Sequence, residues 1–134
     1  MRHIQKIILH CSATKEGQSF SASDIRRWHL ARGFNDIGYH YVVKLDGTIE
    51  EGRPLGVIGA HTSGQNNGSI GICYIGGLDT NGKPKDTRTA QQRIALRRLV
   101  SQLRRRFPNA TVHGHNEYAN KACPCFNVHA ESWS

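Results

Sequence analysis

A chain of 134 residues supports one hydrophobic core of ordinary size and leaves no room for a second. Lys and Arg number 18 against 10 Asp and Glu, a formal net charge of +8, and a hydrophobic share of 37% is low for a globular chain without reaching a disordered composition. The longest largely apolar run, Ile70 to Leu78, contains three glycines and falls far short of the roughly 20 residues a membrane span needs, so a folded, anion-attracting protein outside the membrane is expected.

Met1 to Lys6 leads into a strand-like segment with neither an apolar h-region nor a small-residue cleavage site. No signal peptide is expected, and synthesis in the cytoplasm follows, with a leader lost from a longer precursor as the alternative. Without an oxidising compartment, Cys11, Cys73, Cys123 and Cys125 read as free thiols or metal ligands rather than two disulfides.

In chain order, Ile4 to His10 is a short β-rich run whose alternation puts Ile4, Lys6, Ile8 and His10 on one face. Ser21 with Asp24 three residues on makes a capping box, and Ile25, Trp28 and His29 at helical spacing predict a helix that Gly33 stops. Tyr39 to Leu45 and Thr48 to Arg53 flank Asp46-Gly47, which predicts a hairpin with φ > 0 at both central residues. Gly59 to Ser69 is a long loop of the kind that carries function.

Ser69 to Ile75 reads as a strand buried on both faces. Thr89 and Gln92 cap a helix to Phe107 with a stripe of Ala95, Leu96, Leu99, Val100 and Leu103, its arginines falling on the solvated side, and Thr111 to His115 is a closing strand. Strand, crossover helix and strand form a βαβ unit. The expected fold is a single α/β domain over residues 1–134, with a central mixed, partly parallel β-sheet flanked by helices.

Three distant segments each offer a transition-metal ligand: His10 ending the first strand, His115 ending the last, and Cys123 in the loop beyond. If those strands are parallel neighbours, both histidines sit at carboxyl ends, where open α/β sheets bind ligands. Two imidazoles and one thiolate form a three-ligand zinc set with the fourth position open to water. A closed alternative also exists, because His113-x-His115 and Cys123-x-Cys125 supply four ligands within 13 residues. His113 shares strand parity with His115 and is expected to face the same side.

His10-Cys11-Ser12-Ala13-Thr14, Trp28-His29, Gly38-Tyr39-His40, Gly59-Ala60-His61-Thr62, Asn67 to Ile72 and Lys121-Ala122-Cys123-Pro124 occur in one order and spacing. Together they resemble the type 2 N-acetylmuramoyl-L-alanine amidases, which include phage lysozymes that are amidases and share a fold with the peptidoglycan recognition proteins. The resemblance runs from about His10 to Phe126. It implies one zinc per chain on His10, His115 and Cys123, a catalytic pair in Tyr39 and Lys121, and substrate contacts near Trp28, Arg32, His61 and Asn66. Cys125 departs from the pattern, where a small or hydroxyl residue is expected.

Lys121 lies two residues before Cys123, so in extended backbone both side chains point the same way, and its charge suits a developing oxyanion. Tyr39, with an ordinary pKa of about 10, is a poor base and a better donor. The resemblance implies a peptidoglycan or muropeptide substrate and monomeric action on the cell wall after release. Two rival readings are a module that binds peptidoglycan without cutting it and, as in similar phage amidases, a bifunctional protein that also inhibits a phage RNA polymerase. Direct nucleic-acid binding is not expected, because no helix-turn-helix, finger or aromatic platform accompanies the basic residues.

Overall fold

The computed structural model describes residues 2–133; Met1 and Ser134, the ends of the expected domain, lie outside them. The elements in order are β1 (Lys6–Cys11), β2 (Thr14–Lys15), α1 (Ala22–Ala31), β3 (Tyr41–Val43), β4 (Ile49–Glu51), β5 (Ser69–Tyr74), β6 (Gly77–Leu78), α2 (Ala90–Arg106) and β7 (Thr111–Gly114). Short 3-10 turns follow at His115–Glu117 and Val128–Ala130. Among these residues, five strands form one sheet in the order β4-β3-β5-β1-β7, with β2 and β6 as a separate parallel pair. All pairings in the large sheet are parallel except β3 with β4, the mixed α/β sheet that the sequence predicts.

Both helices start where the sequence places them. Ser21 and Asp24 form the capping box of α1, and Thr89 and Gln92 that of α2. Gln92 is also fully buried, and its amide donates to Val43 O and Ile75 O, which fastens the start of α2 to two sheet-strand ends. Alternation along β1 then divides two cores. Ile7 and Leu9 pack with Leu96, Leu99 and Val100 of α2, whereas Ile25 of α1 packs with Val42, Cys73 and Ile75 on the opposite face. His10 is out of phase with Leu9 and so belongs to the α1 side.

Three local expectations need correction. The first strand starts at Lys6 and ends at Cys11; Ile4 precedes it and packs with the α2-side core, because alternation applies only within the strand. The hairpin turn has positive φ at Gly47 alone, with Lys44 N–H donating to Thr48 O and Gly47 N–H to Lys44 O. That is a three-residue loop, which needs left-handed backbone only at its last position. The last strand ends at Gly114, whose N–H donates to Glu117 Oε2 at 2.7 Å as the chain turns into a 3-10 helix. His115 therefore leaves the strand's alternation, and His113 does not share its direction.

The segment after β7 has little regular structure and is held by side chains. The Tyr74 hydroxyl, buried, donates to Pro124 O at 2.6 Å. Arg88, with 1% of its side chain exposed, pairs with Asp86 and Glu131 and stacks 3.4 Å from the Phe126 ring centroid. Trp133 Nε1 donates to Val128 O at 2.8 Å.

His40 is sealed beneath the loop leading to β5: its Nδ1 accepts from Gly71 N–H at 3.0 Å and its Nε2–H donates to Val57 O at 2.8 Å. Burial lowers its pKa to about 4 from an ordinary 6.5. The folded state therefore resists a proton that the unfolded chain accepts. Stability from this group is complete above pH ~6.5 and is lost as pH falls toward 4, a contribution of about 3 kcal/mol. Denaturant titrations at pH 7 and pH 4 should show that loss, and His40→Gln should reduce the pH-dependent part by a comparable amount.

Candidate metal centre and its cleft

The register of the central strands brings the ligands together. Leu9 pairs with Gly114 and His10 with Cys73, so the residues just past those points, His10 and His115, sit side by side at the carboxyl ends of β1 and β7. Their ring centroids are 4.7 Å apart. Cys123 returns from the following loop, its Sγ 4.0 Å from His10 Nδ1 and accepting from Cys11 N–H at 3.2 Å. One ligand atom from each of His10, His115 and Cys123 lies within 4.8 Å of the other two.

The environment keeps the imidazoles neutral, the form that ligates a metal. Burial, reinforced by His61, His115 and Lys121, holds His10 well below its ordinary pKa, and burial with Lys121 lowers His115. His10 Nε2 lies 2.9 Å from His61 Nδ1 and 3.3 Å from Thr62 Oγ1. With Nε2 carrying the proton toward those acceptors, Nδ1 turns its lone pair to Cys123, an arrangement in which the outer hydrogen bond fixes the ligating tautomer. His61 is in turn held by Ser69 Oγ at 3.3 Å from its Nε2.

The closed four-ligand arrangement does not form. His113 Nδ1 meets Glu117 at 2.9 Å, and Cys125 Sγ lies 3.8 Å from Cys11 Sγ. The Cys125 sulfur at that contact has its pKa raised, first by the Cys11 hydrogen bond and then by burial, while the Cys11 thiol is pushed up to about 12, first by its contact with Cys123. All four cysteines are free thiols.

Two adjoining cavities meet at His115 and Lys121. One, of about 230 Å³, is lined by Trp28, Arg32, Tyr39, His115, Lys121 and Cys123 among others. The second, of about 430 Å³, is lined in part by His61, Asn66, His115 and Lys121. His115 and Lys121 thus stand on the divide between them. A further cavity of about 400 Å³ beside His40, Arg53 and Arg106 contains none of these ligands.

Tyr39 lies two residues ahead of β3, its ring 5.0 Å from His10, and burial together with nearby thiols pushes its pKa well up. Lys121 is exposed and reaches the cleft from a bend, with its N–H on Ala119 O, not from the extended backbone that the sequence suggests. Trp28 is half-buried and stacks edge-on against Phe20 at 5.0 Å, and exposed Arg32 lies 5.4 Å from the Phe34 ring. Asn66 Oδ1 accepts from both His61 N–H and Thr62 N–H at 2.9 Å, so Asn66 shapes the loop that carries His61.

Sequence reasoning did not find the support behind His10, namely His61 and Thr62, or His29, whose Nδ1 accepts from Gly38 N–H beside Tyr39. One signal was present: Gly71 interrupts an otherwise apolar buried strand, the mark of a close approach. A Cβ at Gly71 would lie 2.5 Å from the His61 ring. Gly71→Ala should therefore displace His61 and, if the His10 group holds a metal, weaken its binding by at least about 10-fold, the scale for loss of an outer partner, in a competition titration with a chromogenic chelator.

Similarity to known proteins gives the chain its context. A family model described as N-acetylmuramoyl-L-alanine amidase matches residues 1–126. The endolysin of Escherichia phage T7 is 43% identical over 122 residues, covering 91% of this chain and 81% of the relative, and that of Klebsiella phage KP32 is 40% identical over 123 residues, covering 92% and 82%. Among solved structures, the N-acetylmuramoyl-L-alanine amidase LysC of Clostridium intestinale superposes with a TM-score of 0.81 at 27% identity, covering 94% of this chain and 79% of that one. An ectodomain complex of the peptidoglycan recognition proteins LCa and LCx with tracheal cytotoxin bound gives 0.77 at 27%, covering 92% and 77%. The match over nearly the whole length shows that this chain belongs to the N-acetylmuramoyl-L-alanine amidase family.

Proposed function

We propose that this protein is a zinc-dependent amidase, one catalytic domain that hydrolyses the amide joining the lactyl group of N-acetylmuramic acid to L-alanine in peptidoglycan. The observation that carries the reading is the convergence of His10, His115 and Cys123 at a cleft that also contains Tyr39 and Lys121. The donor set fits zinc: two neutral imidazoles and one thiolate with a cavity on the open side, a place for one ion in this cleft. When bound, zinc supplies Lewis acidity that polarises an amide carbonyl and brings the pKa of a water toward about 7.

The remaining work falls to the chain's own groups. Water adds its oxygen to the lactyl carbonyl carbon, the C–N bond breaks, and the alanine nitrogen leaves with the proton the water gives up. Lys121, exposed on the divide between the cavities, places an ammonium where negative charge gathers on the carbonyl oxygen. Tyr39 stays protonated, so its hydroxyl donates: it orients the reacting groups rather than abstracting a proton. Trp28 and Arg32 line one arm of the cleft and Asn66 the other, which gives a glycan and a stem peptide separate places on either side of the cut bond. His61 lines the second arm but acts through His10.

A module that only binds peptidoglycan is the second reading, supported by the solved relative that holds tracheal cytotoxin. The complete ligand set and the two catalytic candidates favour hydrolysis. Release to the wall fits the endolysin relatives, and among the described residues no helix is long and apolar enough to cross a membrane. Inhibition of a phage RNA polymerase rests on the resemblance alone, and co-purification with polymerase tests it.

Purified protein should contain about one tightly held zinc in the cleft and lose muropeptide cleavage to a chelator, with activity restored by zinc. His10→Ala should lose that ion and activity together. Tyr39→Phe and Lys121→Ala should keep zinc and fold while hydrolysis, followed by release of the L-alanine amine, falls by about 10²-fold or more. Cys125→Ser should keep both metal and activity. Parent-rate cleavage by metal-free protein would overturn the mechanism.

A further inference from the structure

On the other side of the segment that carries His115, a second group of ligating side chains converges. His113 lies in β7, Glu117 in the 3-10 turn that follows and His129 in the turn near the C-terminus, and one ligand atom from each lies within 4.8 Å of the others. Glu117 bridges the two imidazoles, with Oε1 2.9 Å from His113 Nδ1 and Oε2 2.9 Å from His129 Nε2. We propose that His113, Glu117 and His129 form a second divalent-metal site, suited to zinc, that ties the C-terminal segment to β7.

The donor chemistry selects the ion. Two imidazoles and one carboxylate suit zinc and neighbouring transition metals, whereas calcium and magnesium favour all-oxygen sets. The geometry is already prepared. Gly114 N–H holds Glu117 Oε2 at 2.7 Å, Thr111 Oγ1 lies 2.6 Å from His113 Nε2, and Asn127 Oδ1 accepts from His129 N–H at 3.1 Å. The Thr111 hydroxyl donates to or accepts from His113 Nε2, so the proton on Nδ1 can give way to a metal while Nε2 keeps a partner.

Exposure provides access. The His129 side chain is 59% exposed, against 19% for His113 and 30% for Glu117, so an ion enters from solvent and water completes its coordination. The ligands come from β7, from the 3-10 turn directly after it and, 12 positions beyond Glu117, from His129, across a stretch with few backbone ties of its own. Because residues 113–117 flank His115, an ion here also stiffens the strand end that presents it.

The proposal does not rest on the amidase reading, and one experiment separates the two. The full chain, stripped by chelator, is titrated with zinc and its bound metal counted, with cobalt(II) as a spectroscopic probe of thiolate ligation. Parent protein should bind two equivalents. His10→Ala should lose the thiolate-linked cobalt band and keep the second equivalent, whereas His129→Ala and Glu117→Gln should keep the band and lose that equivalent or bind it at least about 10-fold more weakly. Parent unfolding temperature should rise with the second equivalent, a rise absent in Glu117→Gln. A single equivalent lost in His10→Ala and kept in His129→Ala overturns the second site and leaves the cleft assignment standing. A single equivalent lost in His129→Ala and kept in His10→Ala supports the second site and removes the cleft assignment. Two equivalents persisting unweakened in both His129→Ala and Glu117→Gln also overturn the proposal.

Discussion

Strand β1 is paired on both edges in parallel, and neither side of it tolerates a shift. Ile7, Ile8 and Leu9 are at most 1% exposed, so both faces are committed to cores. A slip of one residue against β5 and β7 would turn His10 to the α2 side and take it away from His115. The meeting of His10 with His115 thus depends on register, and register depends on apolar packing far from either histidine.

Burial then sets the protonation of the histidines at this site. His10 and His61 lie in a stack of polar groups beneath the cleft, with Thr62 and Ser69 completing the chain of contacts. In so enclosed a place an imidazolium is costly, which is why burial lowers His61 to about 3 and His10 well below 6.5. The same burial that costs solvation leaves His10 neutral, with its lone pair available. Gly71 makes room for the stack by giving up a side chain.

The segment after β7 supplies His115, Lys121 and Cys123, yet it has no ladder to hold it. Its order comes from point attachments: Tyr74 on Pro124, Arg88 on Glu131 and Phe126, and Trp133 on Val128. Arg88 is buried between Asp86 and Glu131, so removing both carboxylate partners would leave a charge without compensation, and removing one would halve its pairing. The exposed pair Lys85–Glu16 contributes far less to order, because water screens it. These attachments belong to the site as much as its ligands do.

The sequence by itself determined the order of the two helices and of the strands of the large sheet along the chain, both capping boxes, the buried character of β5 and the family motifs, because each is written in local spacing or short-range hydrogen bonding; the small β2–β6 pair it did not reveal. It also named His10, His115 and Cys123, since residue type limits who can hold a metal. Only the tertiary structure shows that His113 and Cys125 lie apart from the group His10, His115 and Cys123. For His113 that separation turns on the 3-10 turn at His115, which sends His113 toward Glu117 and His129 instead of toward Cys123. Strand parity could not reveal it, because a chain that leaves a sheet loses the period of two. The support of His10 by His61, 51 residues away, and the capture of Cys123 by Cys11 N–H, 112 residues away, were invisible for the same reason: they are set by packing, not by neighbours in the chain.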